Sequence, residues 1–406
     1  MTVTIRPGVA RGTVAAPPSK SVAHRLLICA GLSKGCSRIS GVELNEDISA
    51  TIDCLRNLGA SCTVNGDTVT VQGVDLFTAK PDRALCCRES GSTLRFFIPL
   101  ALLCGENVAF TGTEKLLSRP LGIYAQLCDE RGFVFEQSAA RLRVRGKLEA
   151  GNFYIPGDIS SQFITGLLFA LPLLDGDSVI RITPPVESRG YIDLTLQALH
   201  AFGIRVRWQD DCTLEIPGNQ KYIAADMNVE GDYSGAAFFA ALNALGGDVK
   251  VTGLPPESLQ GDRIYTQHLT SLGQCCPEID LSDCPDLGPV LFAVAAAKNG
   301  AVFTGTRRLK IKESDRAAAM AQELAAFGAD VTVKENSVVI RPHGLRYPEC
   351  ILNGYNDHRI VMSLAVLLTL TGGKIKGAQA VRKSFPDFFE KLKTLGIEVI
   401  TDETDQ

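Results

Sequence analysis

Apolar positions along this chain alternate between two periods. A stretch with helical spacing runs into a glycine, then an alternating strand, a polar turn and a second alternating strand. The pattern reads CLRNLGASCTVNGDTVTVQG at 54–73, LCDERGFVFEQSAARLRVRG at 127–146, LQALHAFGIRVRWQDDCTLEIPG at 196–218 and MAQELAAFGADVTVKENSVVIRP at 320–342. Shorter copies are HLTSLGQCCPEIDLS at 268–282 and FEKLKTLGIEVI at 389–400. Gly59, Gly132, Gly203, Gly273, Gly328 and Gly396 fit helix C-caps, where the backbone turns left-handed.

Between these copies lie GSTLRFFIPLALLCG, SSQFITGLLFALPLLDG, SGAAFFAALNALGG, DLGPVLFAVAAAKNG and NDHRIVMSLAVLLTLTGG. They are apolar nearly all round, which marks buried helices rather than amphipathic surface ones. The combined unit is β-α-β-α-β-β with one buried and one surface helix, and six units divide into two halves of three. The fold class is therefore α/β.

Each buried helix opens in a polar cluster: PSKSVAHR (18–25), RESGSTLR (88–95), DISSQ (158–162), EGDYS (230–234), DCPD (283–286) and YNDHR (355–359). Taken singly, each cluster reads equally well as an N-cap or as an anion site. Six together, several with Arg or Lys, point to surfaces made electropositive by helix dipoles and fixed cations. KIKESDR (310–316) adds Lys312, Glu313 and Arg316 at a helix start, and LSRPLGIY (117–124) places Arg119 before a helix-starting proline.

Composition narrows the partners. The chain has 406 residues, enough for two or three domains, and 45% apolar with 21% charged residues, ordinary for a soluble globular protein. A net charge of −4 without a basic block argues against nucleic acid. The longest apolar runs fall short of the ~20 residues that span a bilayer. With no N-terminal apolar leader, a cytoplasmic, membrane-free protein is expected. Thirteen cysteines without a C-x-x-C pair read as free thiols rather than a zinc or disulfide framework. PPSKS lacks the glycines of a P-loop. His24 and His358 each adjoin an arginine but pair with no Ser or Cys at nucleophile-elbow spacing.

The ordered set PSKSVAHR, ESGSTLR, SRPLG, SSQF, VEGDYSGA, KESDR, NDHR and KSFPDFF resembles the EPSP synthase family of enolpyruvyltransferases, from about residue 16 to residue 390. The resemblance implies two similar domains of three β-α-β-α-β-β repeats each, an inside-out α/β barrel whose buried parallel helices point their N-termini at an interdomain cleft. It divides the chain into a discontinuous domain of residues 1–18 and 230–406 on the phosphoenolpyruvate side and a domain of 19–229 on the shikimate 3-phosphate side. The implied reaction transfers the enolpyruvyl group of phosphoenolpyruvate to the 5-hydroxyl of shikimate 3-phosphate as the cleft closes, for chorismate and aromatic amino acid synthesis. It requires no metal or other cofactor, and a monomer is expected.

By motif, the resemblance assigns Lys20, Ser21, Arg25, Ser160, Ser161, Gln162, Ser188, Asp286 and Lys312 to shikimate 3-phosphate, with Tyr191 nearby. Lys20, Gly91, Arg119, Gln162, Arg316, Arg359 and Lys383 fall to phosphoenolpyruvate, and Asp286, Glu313 and Lys20 to proton transfer. Departures are Arg308 where the family often has Asn, SGST (90–93) where many members have NAGT, and Phe96 at a common proline. UDP-N-acetylglucosamine enolpyruvyltransferase fits less well, because Glu114 stands where that enzyme carries its reactive cysteine. A non-catalytic homologue would lack Lys20, Asp286, Glu313 or Arg316, and all four are present.

Overall fold

A computed structural model describes residues 1–403. The chain forms two compact units: Met1–Pro17 with the chain from Gly231 onward, and Pro18–Glu230. Each has its own hydrophobic core.

The Pro18–Glu230 unit carries three four-stranded sheets. In the sheet Asn152–Pro156, Ser178–Thr183, Thr213–Ile216, Arg207–Asp210, the first two strands pair parallel and the last two close as an antiparallel hairpin. A parallel pair needs a crossover helix, here Ser161–Ala170, and Arg189–Ala201 leads to the hairpin. The sheet Leu85–Cys86, Val108–Thr111, Leu142–Arg145, Val134–Gln137 repeats that order. The third takes its first strand, Met227–Asn228, from the far end of the unit and pairs it parallel with Cys36–Ser40. The helices contact one another in a closed cycle: Lys20–Leu32, Glu46–Asn57, Gly91–Leu103, Ser161–Ala170, Arg189–Ala201 and back to Lys20–Leu32.

The other unit departs from six equal copies. Glu278–Asp280, Ala301–Thr304, Ser337–Arg341 and Asp330–Val333 form a complete sheet. The copy ending at 389–400 is completed by the N-terminal strand Thr2–Ile5, which lies between Gly373–Lys376 and Val399–Asp402. The copy around Gly273 is reduced to two parallel strands, Arg11–Ala15 and Asp248–Thr252. The expected left-handed cap at Gly273 is also absent, whereas Gly59, Gly132, Gly203, Gly328 and Gly396 all have positive φ. The chain passes from Tyr265–Ser271 directly into Glu278–Asp280, so no hairpin follows that needs the reversal. Tyr233–Ala244, Gly288–Ala297 and His358–Thr371 pack mutually as the buried helices.

Close helix approach is set by small residues. Gly166 of Ser161–Ala170 faces the Gly91–Leu103 helix, and an added Cβ would meet the Tyr124 hydroxyl and stand 2.6 Å from the Arg95 carbonyl oxygen. The Tyr124 hydroxyl already bridges the carbonyls of Arg95 and Phe163, at 2.9 and 3.0 Å, and cannot retreat without leaving them. Gly166→Ala is expected to destabilise the protein by about 1–3 kcal/mol in urea unfolding. Gly122→Ala, with nothing within 4 Å of the added carbon, should stay within about 0.5 kcal/mol of wild type. Equal effects would show that this helix contact has slack.

Candidate functional site

Two polar clusters form, one in each unit, and each grows from helix N-termini. In the Pro18–Glu230 unit, Ser19, Ser90 and Ser160 cap the three buried helices, accepting from the backbone N–H of Val22, Thr93 and Gln162. The first helical residues behind these caps are Lys20, Gly91 and Ser161, and Gly91 and Ser161 are buried.

Arg25, one turn into its helix, is 3% exposed. Its Nε donates to Thr195 Oγ1 at 2.9 Å, and its Nη atoms donate to the carbonyls of Ser21 at 2.6 Å and Tyr191 at 2.9 Å. All three acceptors are neutral, and Arg25 meets no carboxylate among the described residues. Burial accordingly pushes its pKa down to about 10. Lys20 Nζ pairs with Asp47 Oδ2 at 2.8 Å.

Gly91 is tightly framed. A Cβ there would stand 2.7 Å from Arg119 Nη1 and 3.1 Å from Arg95 Nη1. Only a residue without a side chain lets both guanidinium groups approach this helix terminus. Arg119 Nε is buried and makes no hydrogen bond. Gln162 ties two motifs together, accepting from Arg95 Nη1 at 2.7 Å and donating to Ser92 Oγ at 2.9 Å. Ser188 is buried in the left-handed region at φ 56° and begins the Arg189–Ala201 helix, a strained position for a residue with a Cβ.

The second cluster centres on Arg316, which is 1% exposed. Its Nε meets Asp357 Oδ2 at 2.9 Å, Nη1 meets Asp286 Oδ1 at 2.9 Å and Nη2 meets Glu313 Oε2 at 2.5 Å. Asp286 also receives Arg359 Nη2 at 3.0 Å and Lys312 Nζ at 3.3 Å. Asp286 sits in a 3-10 turn, Pro285–Leu287, before the Gly288–Ala297 helix, and Asp357 caps the His358–Thr371 helix. Burial alone would raise both carboxyls. The surrounding cations win, Arg359 first for Asp286 and Arg316 first for Asp357, and hold Asp286 well below and Asp357 below the usual carboxylate range. The Lys312 ammonium is shifted down by burial and by the Arg316 and Arg308 charges, against the opposing pull of Asp286. Lys383 Nζ donates to the Asn356 carbonyl at 2.6 Å.

The motif residues thus gather as two sets. Lys20, Ser21, Arg25, Gly91, Arg119, Ser160, Ser161, Gln162 and Ser188 lie in one unit, and Asp286, Lys312, Glu313, Arg316, Arg359 and Lys383 in the other. Arg308 does not point outward: it is buried and donates to the Ser282 carbonyl. The motifs alone gave no role to the residues behind these sets, Asp47, Thr195, Asp262 and Asp357, although Asp357 lies within YNDHR. Asp357 was within reach, since it precedes His358 at a helix start. Thr195 was not, because it lies 170 positions from Arg25.

Buried helix termini that present arginine and lysine beside carboxylates, on repeated α/β units, suit a protein that handles small anionic molecules. The family model described as EPSP synthase (3-phosphoshikimate 1-carboxyvinyltransferase) matches residues 6–392. The chain belongs to that family. A 3-phosphoshikimate 1-carboxyvinyltransferase of Clostridium kluyveri is 42% identical over 98% of both chains, and one of Clostridium beijerinckii 40% identical over 97% of both. The EPSP synthase structure from Acinetobacter baumannii superimposes with a TM-score of 0.79 at 25% identity, covering 98% of this chain and 100% of that one.

Asp262 supplies a pH test of the second cluster. It is buried, takes a hydrogen bond from Ser234 Oγ, and is pushed up to about 6, by burial first and then by the Asp286 charge, while Arg359 pulls the other way. A carboxyl whose folded pKa lies above its ordinary 3.8 favours the folded state only while protonated. Wild type should therefore lose stability relative to Asp262→Asn between pH 4 and pH 7, by up to about 3 kcal/mol. Parallel unfolding free energies across that range would contradict this electrostatic account.

Proposed function

We propose that the chain joins the enolpyruvyl group of phosphoenolpyruvate to the 5-hydroxyl of shikimate 3-phosphate, releasing phosphate, with the two polar clusters acting on one pair of substrates. The observation that carries this reading is Arg25, a buried guanidinium held by three neutral oxygens. A buried cation without a counter-ion is costly, and an anionic ligand relieves it. Lys20, Ser21, Arg25, Ser160, Ser161, Gln162, Ser188, Asp286 and Lys312 are assigned to shikimate 3-phosphate. Gly91, Arg119, Arg316, Arg359 and Lys383, with Lys20 and Gln162, are assigned to phosphoenolpyruvate, whose carboxylate and phosphate suit the planar fork of arginine. The inside-out barrel, closure on substrate binding, a monomeric state and the cytoplasm as its compartment belong to the same reading.

The proposed proton path draws on residues of both clusters. Lys20 delivers a proton to C3 of phosphoenolpyruvate while Asp286 takes the proton of the 5-hydroxyl, whose oxygen bonds to C2. The tetrahedral adduct then returns a proton from C3 to Glu313 as the C2–O bond to phosphate breaks. Free Asp286 is a weak base because Arg316, Arg359 and Lys312 all pull on it. An incoming phosphate or carboxylate competes for those donors, frees Asp286 from them and raises its basicity where it is needed.

Purified protein with both substrates should release inorganic phosphate in the presence of a metal chelator, and should not do so with UDP-N-acetylglucosamine as acceptor. Asp286→Asn and Glu313→Gln should each lower kcat at least ~100-fold while the two KM values move only severalfold. Phosphate release from the nucleotide sugar, or near-normal kcat in either variant, would overturn the corresponding assignment.

A further inference from the structure

His24 is absorbed by neither cluster, yet it lies between Lys20 and Arg25 and one helical turn from Lys20. It is 1% exposed, and its ring stands edge-on to Phe96 with centroids 6.3 Å apart. Nδ1 lies 2.8 Å from Thr51 Oγ1, Thr51 Oγ1 lies 2.8 Å from Thr93 Oγ1, and Thr93 Oγ1 donates to Ser90 Oγ at 2.8 Å. Thr51, Thr93 and Ser90 are fully buried. This hydrogen-bond chain crosses from Lys20–Leu32 through Glu46–Asn57 to the first turn of Gly91–Leu103, the helix that Ser90 caps.

Its direction is read from the far end. The Thr93 hydroxyl donates to Ser90 Oγ at 2.8 Å and to the Asp47 carbonyl at 3.5 Å, which leaves Thr51 to donate to Thr93 and the ring to donate from Nδ1 to Thr51. That assigns the neutral Nδ1–H tautomer. The remaining ring nitrogen, Nε2, is buried and makes no hydrogen bond. As a bare lone pair it is tolerable there, whereas an N–H would be an orphaned donor. Burial, aided by the Lys20 and Arg25 charges, keeps the ring from protonating, its pKa lying well below the ordinary 6.5.

We propose that His24 is a positioning residue for the phosphoenolpyruvate half of the reaction, seating the Gly91 helix terminus against Arg119 through Thr51 and Thr93. The inference rests on the function proposed above. The terminus and Arg119 come close, since a Cβ on Gly91 would stand 2.7 Å from Arg119 Nη1. The Lys20–Leu32 and Glu46–Asn57 helices are also joined by the Lys20–Asp47 ion pair, so the His24–Thr51 bond and that pair hold these two together at two levels. The shikimate 3-phosphate half is anchored separately, since Arg25 is held by Thr195 and Tyr191 of another helix. Loss of the chain should therefore be felt by one substrate and not the other.

Full-length wild type is assayed first: no phosphate release would refute the proposed function. The hydrogen-bond chain is judged without substrate, by ¹⁵N NMR of the imidazole. A neutral Nδ1–H ring unchanged from pH 5.5 to pH 8 is expected, and an Nε2–H tautomer or a ring that titrates in that range would overturn the inference. In the active enzyme, His24→Leu should raise KM for phosphoenolpyruvate about 10-fold, leaving KM for shikimate 3-phosphate and kcat within about threefold. Thr93→Val, which cuts the chain elsewhere, should reproduce that selective rise. His24→Asn, still able to donate to Thr51, should recover most of it. Unchanged KM values, or both rising together, would show that His24 only fills space.

Discussion

One buried guanidinium organises the chemistry of the unit that runs from Gly231 onward. Arg316 presents its nitrogens to Asp357, Asp286 and Glu313 at once, and these come from three separate elements. A fork with five donors in a plane can do this where a lysine cannot. Breaking the arrangement would strand carboxylates away from water, which is far more damaging than the pairs themselves are stabilising. The 3-10 turn of Asp286, the cap at Asp357 and the Arg316–Ala326 helix are therefore locked to one geometry. Because Asp286 and Asp357 are held below their ordinary range, their contribution to stability is present above about pH 4 and fades as pH falls through their lowered values.

The other unit handles buried charge in the opposite way. Arg25 is lodged among neutral oxygens, and Arg119 keeps a buried Nε without an acceptor. Arg316 is thus compensated by carboxylates, whereas Arg25 meets none among the described residues. On the proposed reaction this asymmetry is useful. Arg25 draws in a phosphate, while the Arg316 cluster stores a base whose strength rises when a second anion competes for its partners.

Much of this was legible in the chain. The switch from helical to strand periodicity marked four complete repeats, and the glycines after their helices lie in the left-handed region as a C-cap requires. The polar clusters were visible because Ser, Asp and Arg interrupt segments otherwise apolar on every side. Legibility stopped where partners are distant. The strand completing the last repeat comes from residues 2–5, and nothing local announces it. The copy around Gly273 kept the helix-glycine-strand signature but no hairpin, because the chain there goes on to the next sheet. Thr195, Asp47 and Thr51 carry no motif at all, being ordinary helix residues whose role comes from what packs against them. Strained backbone is a further signal that a sequence hides: Arg88, Ser188, Tyr355 and Asn356 have positive φ, and all border the site motifs.

The claim that Arg316 keeps its carboxylates ionised is tested most directly by a ¹³C NMR titration of aspartate side-chain carboxyls, with Asp286 and Asp357 assigned by substitution. Both signals should stay at the ionised position down to below pH 3.8, the ordinary aspartate value, and Arg316→Met should bring Asp357 into titration above it. Titration of either carboxyl at or above that value in the folded wild-type protein would contradict the account.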